Sequence, residues 1–127
     1  MEEQNLPKAL IEVYEFRAPD SGSQHNEGAT FTASVLAPTR DPDLYRFGYG
    51  IVPSNPMIPI TITILADPPA QSNAGSGAPP DHKIYSSTIT APPVDADSDM
   101  ILQFLYRQTT SDPFSVEAER TVRVLNL

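Results

Sequence analysis

With no cysteine anywhere in the chain, the first residues whose chemistry matters are two histidines, His25 and His82. Each sits in polar company, Ser-Gln-His-Asn around His25 and Asp-His-Lys around His82. A Ser-His-Asp triad needs an imidazole held by a buried carboxylate and aimed at a serine. Asp81, His82 and Ser86 or Ser87 offer those residue types, but no G-x-S-x-G elbow presents the serine. Both histidines read as solvated loop residues, and the chain reads as non-catalytic.

Carboxylates are the next chemistry-bearing group. Asp95, Asp97 and Asp99 alternate in one turn, as do Asp41 and Asp43. Calcium takes closely spaced carboxylate and carbonyl oxygens, which such a turn supplies. Set against the helix-loop-helix calcium loop, however, Met100 stands at the glycine position and Tyr106 where the bidentate glutamate belongs. The turn is expected to cap itself and keep an edge polar, with calcium at Asp95, Asp97 and Asp99 as the alternative; no other cofactor is expected. Glu12, Glu15, Glu117 and Glu119 alternate with solvent-facing parity and lack the tryptophan platforms of a sugar cleft. Gly75-Ser-Gly77 is too short and too proline-flanked to cradle a phosphate.

Aromatic side chains supply the candidate contacts. Tyr45, Phe47 and Tyr49 share one strand face, which reads first as the core side, with the opposite face to solvent, and second as a ligand platform. The opposite face, Arg46, Gly48 and Gly50, is the more polar. Glycines there imply a bend or a close approach by another segment. Tyr14 and Phe16 fall on the parity opposite Ile11 and Val13, so they are expected to be covered by a connector or a second subunit. Tyr14, Phe16, Tyr45, Arg46 and Tyr49 are thus the expected ligand or partner contacts.

The elements that must position these residues are nearly all strands. Apolar alternation marks Ala9–Arg17, Ala29–Leu36, Leu44–Val52, Ile58–Ile64, His82–Ala91, Met100–Thr109 and Val116–Leu127. A bulge near Tyr14 would reconcile the two halves of the first. Residues 20–28 read as a polar loop, and 66–80 as an exposed, mobile, low-complexity loop. About seven short strands without a helical run predict an all-β, two-sheet antiparallel sandwich filling residues 1–127 as one domain. The strand pattern, including the passage from Ser86–Ala91 through Pro92-Pro93 and the aspartate turn into Met100–Arg107, resembles the immunoglobulin-like sandwiches. Their cysteine pair and third-strand tryptophan are missing, and a jelly roll is the alternative.

Composition limits the partners. Sixteen acidic against eight basic residues give a net charge of −8, and the basic side chains are scattered from Lys8 to Arg123. Such a surface repels phosphate backbones, so nucleic acid is not an expected partner. No apolar run reaches the ~18 residues of a membrane span, and the acidic start lacks a leader's apolar region. A place in the cell interior is the default expectation. The function expected from these residues is a non-catalytic protein–protein interaction or assembly module, most simply a homo-oligomer. A lectin-like module binding carbohydrate or another ligand, assisted by calcium, is the alternative.

Overall fold

Alternation of small apolar and hydroxyl side chains builds the central strands, and the computed structural model, which describes residues 12–127, shows where each face goes. The strands are β1 (Glu15–Ala18), β2 (Gln24–Asn26), β3 (Thr30–Pro38), β4 (Tyr45–Ile51), β5 (Thr63–Ile64), β6 (Ala70–Asn73), β7 (His82–Thr90), β8 (Ser98–Tyr106) and β9 (Ser115–Leu125). They form two sheets, β1-β3-β7-β6 and β2-β9-β8-β4-β5. The protein is an all-β sandwich, as the strand pattern predicts. No helix among the described residues is long and apolar enough to cross a membrane.

In β3, Ala33, Val35 and Ala37 turn inward, while Thr30 and Thr32 face out. In β8, Met100, Leu102 and Phe104 are fully buried and meet Tyr45 and Phe47 of β4, Tyr85 and Ile89 of β7, and Val122 and Val124 of β9. Tyr45 sits at the centre of the aromatic set, 4.7 Å by ring centroid from both Tyr85 and Phe104, and Phe47 lies 5.1 Å from Phe104. Burying each large side chain stabilises by about 1.5–3 kcal/mol, and each edge-to-face pair adds about 0.5–1.5.

Five expectations need correction. Among the described residues the first strand covers Glu15–Ala18 and leaves 12–14 outside the sheet; Ala9–Ile11 lie outside the described residues. Its register shift lies between Phe16 and Ala18 rather than near Tyr14. The polar loop 20–28 contains β2, which runs parallel to β9, so one pair of the sandwich is not antiparallel. Of the isoleucine run, only Thr63 and Ile64 pair with β4, because Pro56 and Pro59 interrupt the segment that precedes them. Within the low-complexity segment 66–80, Ala70–Asn73 forms an edge strand on β7. Polar, short edge strands carry too little apolar alternation to be recognised from sequence.

Candidate interaction surface

Of the five expected contact residues, Phe16 and Tyr45 are buried, and Tyr14, Arg46 and Tyr49 are half-buried. Phe16 is 5% exposed and packs 6.2 Å from Phe47, so the expectation of an exposed contact is wrong for it. Phe16 pairs opposite the buried Val35, and its ring meets Phe47 of the other sheet. Tyr45 is wholly buried, with its hydroxyl donating to the Pro38 carbonyl at 2.8 Å, and is likewise a core residue rather than a contact. Burial pushes its phenol pKa far up, aided by the neighbouring Tyr14. Tyr49 is half-buried against the core, not an open platform. The Arg46 guanidinium folds back on its own turn, donating to the carbonyls of Tyr45 (2.7 Å) and Asp43 (3.1 Å).

Tyr14 alone of the five keeps a position at an accessible groove. Its ring lies 6.4 Å from those of Tyr45 and Phe104, and burial raises its phenol pKa. Beside it, Arg40 stacks 4.6 Å over Tyr106 and pairs with Glu12 at 2.6 Å. Four of the chain's five tyrosines thereby gather at one end of the sandwich, since Tyr85 accepts the Arg40 N–H (2.9 Å) and donates to the Arg40 carbonyl (3.0 Å).

The aspartate turn bonds the end of β9. Asp97 accepts the Asn126 N–H at 2.8 Å, and Asp99 pairs with Arg123 at 2.9 Å. Asp95 is exposed, and no cluster of three or more histidine or acidic ligands occurs among the described residues. Glu27 completes a clasp on the chain's last residues, accepting the N–H groups of Val94 (3.0 Å) and Leu127 (2.8 Å). Those two donors, Leu127 foremost, hold its carboxyl below the ordinary carboxylate range.

Neither histidine is a free loop residue. The Val13 N–H donates to His82 Nε2 at 2.9 Å; a backbone amide can only donate, so the ring proton is on Nδ1, which donates to the Pro80 carbonyl at 2.8 Å. His82 is 8% exposed, and neither nitrogen is left to receive a serine proton. His25 stacks on Phe31 at 4.2 Å and meets Ser23 Oγ at 2.8 Å, and burial lowers its pKa.

The surface that sequence reasoning missed is the outer face of the β5 edge. Gly48 and Gly50 open a trough there, and residues 60–63 cross it. A Cβ at Gly50 would lie 2.5 Å from the Thr61 carbonyl and 2.9 Å from Ile62; one at Gly48 would lie 2.9 Å from Ile62. Ile62 and Leu105 fill the trough, and Leu105 falls to 3% exposure despite its outward parity. Ile60 Cγ2 also reaches to 3.0 Å from a Cβ at Gly50 while 38% exposed, and beyond it stand Met57 (86% exposed), Ile58 (53%) and Ile64 (45%). The paired glycines were the available signal: a strand with no side chains on one face requires cover from elsewhere. Comparison with known protein families and with curated proteins finds no match to this chain.

Proposed function

We propose that this protein is a non-catalytic association module that pairs with itself through the ridge Met57–Ile64. The observation that carries this reading is the exposure of Met57, Ile58, Ile60 and Ile64 in one short segment. Contiguous apolar side chains of this kind mark contact surfaces, whereas single exposed ones need no explanation. The segment is held in place from beneath by Ile62 against the glycine trough, so the ridge is presented on a fixed base. Strand order adds support for an immunoglobulin-like arrangement over a jelly roll: one sheet is β1-β3-β7-β6, and in the other the neighbouring strands β9-β8-β4 carry an extra edge strand at each side. The engagement of both His82 nitrogens by backbone groups supports the non-catalytic half of the proposal.

Light scattering across concentration tests it. The expected result is a mass rising from the 13.8 kDa protomer to a defined multiple. The double variant Met57→Asp, Ile58→Asp, altering the most exposed pair, is expected to remain a protomer with unchanged thermal stability. A wild-type mass of one protomer at every concentration would sink the reading.

A further inference from the structure

A second surface lies at the start of β9. On one side β9 pairs with β8 from Ser115 to Val124, with a register shift that leaves Glu117 out of the pairing. On the other, among the described residues, β2 pairs it only at Arg123–Leu125, and Gly22 bonds the Thr121 carbonyl. Among the described residues, no strand pairs with 115–119 on that side. A row of unpaired backbone donors and acceptors is a template for a further strand.

Beside that edge runs a groove of about 430 Å3, walled by Glu12, Tyr14, Tyr106, Asp112 and Glu117, with Arg107 at its rim. Arg107 is already engaged: it donates to the Asp43 carbonyl at 3.0 Å and to that of Thr110 at 3.1 Å, and stacks 4.5 Å from the Phe114 centroid. Glu12 is neutralised by Arg40. Asp112 and Glu117 have no cationic partner among the described residues, Glu117 accepting only from Ser115 Oγ at 2.9 Å. The groove thus joins two uncompensated carboxylates to a half-buried tyrosine ring, a combination that favours an ammonium or guanidinium group.

We propose that the edge of β9 at residues 115–119 receives an extended lysine- or arginine-bearing peptide as an added strand, its cation seated between Tyr14, Asp112 and Glu117. Charge decides the occupant. A second copy pairing at this edge would bring Glu117 and Glu119 against their own equivalents, and like charges across a strand pair are destabilising. A basic strand meets both with opposite sign, and the net charge of −8 steers it in. This contact is separate from the Met57–Ile64 ridge and does not depend on self-association.

The test uses the full chain and two labelled peptides, Val-Lys-Val-Lys-Val-Lys and Val-Glu-Val-Glu-Val-Glu, followed by fluorescence anisotropy and amide hydrogen exchange. Expected are saturable binding of the lysine peptide alone and slowed exchange confined to residues 115–119. Glu117→Lys is expected to weaken binding about tenfold or more, the scale of losing one close charge pair. Three results would each overturn the proposal: equal binding of the glutamate peptide, exchange protection spread over the surface instead of at 115–119, or protection there that rises with protein concentration in the absence of peptide. The exchange map on wild-type protein keeps the proposal falsifiable even where Glu117→Lys fails to fold.

Discussion

At the residue scale, several single groups hold the fold through a partner that no substitution keeps. Tyr45→Phe leaves the Pro38 carbonyl without its buried donor, so a loss of about 1–3 kcal/mol in urea unfolding is expected. Gly50→Ala drives a Cβ into the Thr61 carbonyl. The expected loss is about 1–3 kcal/mol, with Met57–Ile64 displaced outward in solution as increased exchange of the Thr63 and Leu65 amides. Acid dependence follows from two shifted groups. The Glu27 carboxyl is held low in the fold by the Leu127 and Val94 amides. Its contribution is therefore present above the ordinary carboxylate range and lost as pH falls through the folded value. Burial holds the His25 imidazole low as well, so the unfolded chain takes the proton first and stability falls as pH drops below about 6.5. Unfolding midpoints of His25→Phe, which preserves the stack on Phe31, should lack that decline between about pH 7 and 5, and those of Glu27→Gln should lose part of the decline at lower pH.

At the element scale, the aspartate turn and the β9 terminus behave as one clasp. Val94, Asp97 and Glu27 all bond the last two residues. Asp97→Ala is expected to speed exchange of the Asn126 amide by about tenfold or more while leaving the midpoint of global unfolding nearly unchanged, because local opening at a strand end is separable from the core. Alternation of apolar and polar residues made β3, β4, β7, β8 and β9 legible to within a few residues. It misled at Ile58–Ile64, where period two reflects a segment lying over a strand rather than within the sheet. It was silent at β2 and β6, whose exposed residues follow no apolar period.

At the scale of the whole molecule, a net charge of −8 opposes any contact between copies. If the ridge drives self-association, screening that repulsion should favour it: the average mass at fixed concentration is expected to rise from low salt to about 0.5 M, where the Debye length is only a few ångström. A mass that falls with salt would point to ion pairs across the contact instead. What the sequence by itself determined was the fold class, the five long strands and the absence of thiol chemistry, because composition and period depend only on which residues follow one another. What only the tertiary structure decided was the use of each face. Phe16 went into the core because β1 pairs with β3 at a place where its ring meets Phe47 of the opposite sheet. The aspartates became a clasp because β9 ends beside their turn. The ridge at Met57–Ile64 exists because Gly48 and Gly50, about ten residues earlier, leave room for Ile62. Each outcome depends on contacts between distant residues, and period along the chain carries no information about those.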